Sequence, residues 1–512
     1  MRGVYTSINE IRRRVYTEIA RMAFESADEA KTEDFAKTLE SLPYQILPTE
    51  DAAYRDSVFL ERAIVGERLR LAMGLSARDA DANTPISDGI ENSTSESYYE
   101  PPLINIIKFA CHACPEKQVV VTDGCQGCLA HPCTQVCPKD AIHIVNGRSV
   151  IDQTKCIKCG RCQDVCPYNA IVKQERPCAK ACGVGAIGSD EHGRAEINYD
   201  KCVSCGMCLV NCPFGAIADK AQIFKVARTL KKGKKIYAAV APAFVGQFGP
   251  KVTAEKLYAA MKQLGFTDVV EVAVGADMCA TQEAMDFLEH VPEKIPFMGT
   301  SCCPAWSVMA KQEFPDYKDC ISMALTPMTL TARMIKRHQP DAKVVFIGPC
   351  AAKKLEARRR TVRSDVDFVL TFEELQGMFE ARNVRFEDIP PEEEVPLNEG
   401  TGAGRGFAVS GGVANAVVEA IKRIDPDREV KVAYAEGLDN CKKMLMLAKA
   451  GKYNGYLLEG MACPGGCVAG AGTIQPVAKS AAAIKRYSQQ ADSLSAMDSR
   501  YEADLELLEE RE

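Results

Sequence analysis

A chain of 512 residues has room for about three to five structural units, and its 46% hydrophobic and 26% charged content is the balance of a globular protein rather than a disordered one. A formal charge of -6 argues against nucleic acid as the main partner, since duplex binders usually carry net positive charge or a dominant basic face. No run of about 18 apolar residues occurs and the opening MRGVYTSINEIRRR has no apolar signal region, so a cytoplasmic protein with no membrane partner is expected; in that reducing compartment 24 cysteines point to metal ligands or reactive groups rather than disulfides.

Ile8, Ile11, Val15, Ile19 and Met22 recur at spacings of three and four, which predicts an amphipathic helix over residues 5–25. Val58, Phe59, Ala63, Ile64, Leu69 and Leu71 repeat the pattern among Arg and Glu, so residues 1–76 read as a small N-terminal helical unit. Residues 77–102 are rich in Ser, Asp, Asn and Pro and end in Pro-Pro, the composition of a linker. Residues 103–220 hold sixteen cysteines in short segments broken by Gly and Pro, a region that metal clusters must organise.

Within it Cys156, Cys159, Cys162 and Cys166 spell C-x2-C-x2-C-x3-C-P, and Cys202, Cys205, Cys208 and Cys212 spell it again. Three closely spaced thiolates bind three corners of one cubane, and the fourth, before Pro, reaches the neighbouring cluster. Zinc prefers two separated C-x2-C pairs in a tetrahedral site, so the third close Cys disfavours it. Cys125, Cys128, Cys133 and Cys137 form an expanded copy. Crossing the fourth ligands predicts one 4Fe-4S cluster on Cys125, Cys128, Cys133 and Cys166 and a second on Cys156, Cys159, Cys162 and Cys137. The remaining Cys111, Cys114, Cys178 and Cys182 complete a split copy, which gives a third cluster on Cys111, Cys114, Cys178 and Cys212 and a fourth on Cys182, Cys202, Cys205 and Cys208. This ligand count leaves His112 and His131 as hydrogen-bonding neighbours.

From residue 221 to 488 apolar runs such as IYAAVAPAF, KVVFIGPC and GYLLEGMACP alternate with amphipathic stretches, the signature of parallel α/β architecture. Several runs lead straight into Cys, Pro or Gly, at the strand ends where open α/β sheets bind ligands. Three cysteine motifs lie here: Thr300-Ser301-Cys302-Cys303-Pro304-Ala305-Trp306, then Gly348-Pro349-Cys350-Ala351-Ala352-Lys353-Lys354-Leu355-Glu356, then Glu459-Gly460-Met461-Ala462-Cys463-Pro464-Gly465-Gly466-Cys467. They supply five thiols to one site, and a cubane takes four, so one of Cys302 and Cys303 is left free. A thiol beside a cluster can give and accept a proton. Residues 489–512 read as an acidic C-terminal helix.

The three motifs, in order and separation, resemble the signature motifs of the FeFe-hydrogenases over residues 105–480. The resemblance implies a two-lobed α/β catalytic domain with mainly parallel sheets, an α+β ferredoxin-like domain, and an H-cluster: a 4Fe-4S cubane on Cys303, Cys350, Cys463 and Cys467, bridged through Cys467 to a two-iron unit with carbonyl, cyanide and azadithiolate ligands. Such a unit is inserted by maturation proteins. It further implies a proton path from Cys302 through Glu283, Ser322 and Asp286, where the family usually has Glu at the last position. The segment Ala276–Gln282 ahead of Glu283 matches the family's relay helix, and Ser322 follows Cys302 by 20 positions. Lys353 matches the lysine that holds a cyanide, Ala241 and Pro242 the strand end at the other cyanide, and Met461 a residue packed on the diiron unit. Lys354 reads as a surface residue, and Cys279, Cys320 and Cys441 as free buried thiols.

Ala305, Gly348, Met328 and Ala243 depart from the better-known members and resemble the branch called group B. The expected reaction is reversible reduction of protons to hydrogen, with electrons from ferredoxin or flavodoxin through four clusters, and Lys231, Lys232, Lys234 and Lys235 as a docking run or a solvated loop. Two alternatives stay open: a hydrogen or redox sensor of the same fold, and a diiron-free iron–sulfur electron-transfer or assembly protein.

Overall fold

The computed structural model describes residues 6–94, 101–360, 362, 365–390 and 399–505. Residues 6–75 form three helices, α1 (Ser7–Glu25), α2 (Thr32–Ile46) and α3 (Val58–Ala72). Thr6 caps α1 by accepting the Asn9 N–H, and Ser57 caps α3 by accepting that of Phe59. Ile11, Val15, Ile19 and Met22 are buried as the periodicity predicts.

The reading of α3 needs correction. Phe59 is 77% exposed, while Glu61, Glu67, Arg68 and Arg70 are buried. The reason is that α3 is wedged between neighbours on both sides, so its polar face meets protein instead of water. Nor do the three helices close on a core of their own: Val15, Ile19, Leu39 and Leu69 belong to one apolar cluster with Ala238, Ile347 and Leu375 of the α/β region. Gly377 lets the helix Phe372–Ala381 approach α1 closely, since a Cβ there would stand 2.7 Å from that of Tyr16. The expected linker is likewise partly built in. Arg70 donates to the Ile86 and Asp88 carbonyls at 2.8 Å each, Arg78 pairs with Glu67, and Ile86 and Ile90 are buried; residues 95–100 lie outside the described ones.

The cysteine-rich region is made of antiparallel ribbons: β1 (Ile104–Ile106), β2 (Gln118–Val121), β3 (Ile142–Val145), β4 (Arg148–Ile151), β5 (Ile171–Gln174), β6 (Ile187–Ser189), β7 (Ala195–Ile197) and β8 (Ile217–Asp219). β2 pairs with β5 and β3 with β4, while β6 pairs with β7 and β1 with β8. One module is therefore inserted in the chain of the other, which is why the split motif begins before Cys125 and resumes after Cys166.

The α/β region from residue 221 to 488 holds β9 (Ile236–Val240), β10 (Asp268–Glu271), β11 (Met298–Gly299), β12 (Lys343–Gly348), β13 (Phe368–Thr371), β14 (Lys431–Glu436) and β15 (Tyr456–Met461). They form two parallel sheets, ordered β10-β9-β12-β13 and β11-β15-β14. Strands such as β9 and β12 are apolar along nearly their whole length because helices cover both faces. Beyond the helix Val477–Gln489, residues 490–503 are turns and one 3-10 turn at Ala496–Asp498. The expected C-terminal helix thus begins no earlier than Asp504, and residues 506–512 lie outside the described ones. Among the described residues no helix is long and apolar enough to cross a membrane.

Candidate active site and thiol clusters

The carboxyl ends of strands from both sheets meet. Ala241 and Pro242 follow β9, Cys350 follows β12, Cys302 and Cys303 follow β11, and Cys463 follows β15. These residues, with Lys353, Met461 and Cys467, line one cavity. Met328, Ala243 and Ala305 line it too. Cys303, Cys350, Cys463 and Cys467 lie within electrostatic reach of one another, and burial raises the thiols, Cys350 to about 11 and Cys467 to about 12. Four sulfur donors around a cavity walled mainly by apolar groups suit an iron–sulfur cube, which needs thiolates and few competing oxygen ligands. The metal itself must displace the protons that burial holds on these thiols.

Local packing explains how the Cys302–Cys303 turn is held. The Trp306 indole donates to the Thr300 carbonyl at 3.1 Å and lies against Gly460, where a Cβ would come 2.2 Å from the ring. Behind Cys302 stands Glu283, fully buried on the helix Ala273–His290. The Ser301 N–H donates to Glu283 Oε1 at 2.6 Å, the Ser301 and Ser322 hydroxyls bear on the same carboxyl, and burial lifts it to about 7. Its Oε2 has no hydrogen-bond partner among the described residues. Burial, followed by the Glu283 charge, pushes the Cys302 thiol well above its ordinary value. Asp286, one turn further, is half-buried and lies near Glu283.

The Lys353 ammonium donates to Glu356 Oε2 at 2.7 Å and to the Thr326 hydroxyl at 3.0 Å. Burial alone would lower it, but the Glu356 carboxylate outweighs that and raises it. Lys354, expected at the surface, is fully buried. It donates to Asp219 at 2.7 Å, Glu374 at 2.8 Å and the Lys220 carbonyl at 2.9 Å, so it ties β8 to the catalytic region. Its sequence neighbours gave no sign of this, because both carboxylates come from distant segments. The 231–235 lysine run is also engaged: Lys231 bonds the Ser26 carbonyl and faces Asp28, and Lys235 bonds Gln339.

All 24 cysteines are free thiols. The sixteen of the cysteine-rich region share one local geometry. In each motif the residue two beyond the first Cys has positive φ (Ala113, Gly127, Lys158, Ser204), as does the residue three beyond the last (Asp140, Asn169, Gly185, Gly215). In each, the last Sγ accepts the N–H of an Ala four residues on: Cys137 from Ala141, Cys166 from Ala170, Cys182 from Ala186, Cys212 from Ala216, at 3.2–3.4 Å. Cys182 thus shares the local geometry of Cys137, Cys166 and Cys212 although no Pro follows it. Cys111, Cys114, Cys178 and Cys212 line one pocket. Cys182, Cys202, Cys205 and Cys208 are mutual neighbours. Cys156, Cys159 and Cys162 neighbour one another, and Cys125 and Cys133 share contacts with Ser149. Cys205 also neighbours Cys303 and borders the catalytic cavity, an adjacency that spacing alone did not reveal. Of the two histidines, His112 stacks on Phe214 with ring centroids 4.4 Å apart.

Fold and site together define an iron–sulfur protein whose ferredoxin-like modules adjoin a thiol-lined centre in an α/β domain. Residues 234–471 match the C-terminal domain of the iron-only hydrogenase large subunit, residues 155–216 a 4Fe-4S dicluster domain, and residues 125–176 the LdpA Fe-S cluster-binding domain. Iron hydrogenase 1 of Clostridium pasteurianum is 30% identical over 455 residues, 76% of this chain and 78% of that protein. The periplasmic Fe hydrogenase large subunit of Nitratidesulfovibrio vulgaris is 34% identical over 388 residues, 66% of this chain and 87% of the other. A probable cytosolic Fe-S cluster assembly factor of Aedes aegypti is 26% identical over 278 residues, 44% of this chain and 58% of the other. The chain belongs to the FeFe-hydrogenase family.

Proposed function

We propose that the chain is a working hydrogenase, resembling the group B branch, that interconverts protons, electrons and molecular hydrogen. The observation that carries this reading is the convergence of Cys302, Cys303, Cys350, Cys463 and Cys467 on one cavity, with Cys302 backed by the buried Glu283. Cys303, Cys350, Cys463 and Cys467 would hold the H-cluster cubane. When bound, the diiron unit supplies the metal site at which hydrogen is made or split.

The protein's own part is to orient, dry and protonate that site. Lys353, kept charged and aimed by Glu356 and Thr326, would donate to an anionic ligand of the unit. Ala241, Pro242 and Met461 would pack against it and keep water away. Cys302, neutral because it is buried, holds a proton for transfer. Glu283, near 7, accepts and donates at physiological pH. Ser322 beside it and the half-buried Asp286 would continue the path toward solvent. Electrons would come from ferredoxin or flavodoxin through the four thiol sets, with the Cys205 set last because it adjoins Cys303.

Anaerobic maturation of the full chain with a diiron precursor, followed by infrared spectroscopy and a hydrogen assay, tests this reading. Carbonyl and cyanide bands together with hydrogen turnover are expected. In Cys302→Ala the bands should persist while turnover falls by orders of magnitude. A chain that takes up iron and sulfide but never displays the bands would instead be an iron–sulfur protein of the assembly-factor kind.

A further inference from the structure

Three arginines surround the Cys111, Cys114, Cys178 and Cys212 set. Arg176, 4% exposed, lines the pocket itself. It donates to the Cys114 carbonyl at 3.1 and 2.9 Å and to those of Gly188 and Gly193 at 2.7 Å each, and its charge acts on the Cys114 and Cys178 thiols. Arg68, buried on α3, donates to the carbonyl of Gly215, three residues past Cys212, and lies within electrostatic reach of that thiol. Burial lowers it to about 10, so it stays a cation at neutral pH. Arg55 donates to the carbonyls of Ala110 and Phe214, at 3.0 and 2.9 Å, beside Cys111 and Cys212. Its guanidinium stands 5.7 Å from the Phe214 ring that stacks on His112.

Each of these hydrogen bonds ends on a backbone carbonyl, not a carboxylate. The buried Glu61 accepts the backbone N–H groups of Ala53, Tyr54 and Arg55 and so shapes the turn that presents Arg55. In the companion set the main charges bearing on Cys202, Cys205 and Cys208 are those of other thiols. A cubane on four thiolates is anionic, and an added electron makes it more so. A buried cation therefore stabilises the reduced form more than the oxidised one, and charge and hydrogen bonding at the ligands are main determinants of cluster potential.

We infer that Arg68 and Arg55, supplied by the N-terminal helical segment, join Arg176 to raise the reduction potential of the Cys111–Cys114–Cys178–Cys212 cluster above that of its neighbour on Cys182, Cys202, Cys205 and Cys208. This rests on the cluster ligation of the preceding section and assigns the N-terminal helices a redox task. The cluster becomes the resting place for an electron one hop short of the Cys205 set. Only an electron is added to it, and no bond is made or broken.

The test is an anaerobic redox titration, followed by electron paramagnetic resonance, of the full chain carrying its accessory clusters but no diiron unit. Cys178→Ser identifies the signal by altering it. The midpoint of that signal should lie above that of the signal altered by Cys202→Ser. It should fall in Arg68→Met, stay near the parent value in Arg68→Lys, and fall by less in the more solvent-screened Arg55→Met. If Arg68→Met does not fold, Arg55→Met decides. An identified signal whose midpoint ignores the loss of charge overturns the inference while leaving the ligation intact. A Cys178→Ser chain with every signal unchanged removes the ligation and the inference with it.

Discussion

Glu283 is a carboxyl whose surroundings all act on its proton. A carboxyl ordinarily near 4.5 is lifted to about 7 chiefly by burial, so between those values the folded chain keeps a proton that the unfolded chain has released. Stability must then fall as pH rises through that window, by about 1.4 kcal/mol per unit at most, and the penalty is complete above the folded value. Glu283→Gln removes the ionisation. Its stability gain over the parent should be larger at about pH 8 than at about pH 6, measured by anaerobic thermal unfolding; an equal gain at both would show that Glu283 is not the raised group. With the H-cluster bands intact, the same variant should lose most of its turnover. Cys302 and Glu283 were legible because the motifs around them are local. Thr326 as a support of Lys353, and the Ser301 N–H as a support of Glu283, were not, since each contact joins segments far apart in the chain.

Among the elements, the junction between the second ferredoxin-like module and the catalytic region is the most constrained. Gly206, at φ +78°, leaves room for Ala471, whose Cβ would stand 2.5 Å from a Cβ placed there, and Gly183 does the same against Leu438 at 2.6 Å. Both lie beside thiols of the Cys205 set. Gly206→Ala should push the module away from Cys303 and slow electron delivery: carrier-driven hydrogen production falls several-fold, while the infrared bands of the H-cluster stay in place. Unchanged carrier-driven rates would mean that this contact does not set the hop. Lys354 joins the same two bodies, with Asp219 on one side and Glu374 on the other. Lys354→Met strands two buried carboxylates and should cost about 3–5 kcal/mol, read as a lowered denaturation midpoint. The sequence read correctly that α1 would be amphipathic and that strands would end in Pro, Cys or Gly. It misread α3, because a helix wedged between neighbours buries polar positions such as Glu61 and Arg68 while Phe59 faces out.

At the scale of the molecule, the two parallel sheets are packed into large apolar clusters, whereas the apolar cluster of the first ferredoxin-like module consists of Val119, Cys133, Ile142, Cys162 and Ile171. So small a core does not offset the entropy of ordering its loops. Anaerobic removal of iron and sulfide should therefore release residues 118–174 to fast amide hydrogen exchange while β9, β12 and β15 remain protected. Protection of both regions in the metal-free chain would show that the module folds without its clusters.

The grouping of three of the four thiol sets was readable from the chain because three cysteines of each lie within a few residues of one another, and the turns that hold them are fixed by the backbone over that same short span. The three cysteine motifs around the cavity were legible one by one, each a strand end followed by its own turn, while their convergence was not. Which thiol set adjoins which, that Lys354 is a buried tie, and that arginines from α3 and the turn before it gather around one cluster were decided only by tertiary structure. Burial and electrostatic field at a site come from surfaces that distant segments contribute, and no local spacing records them.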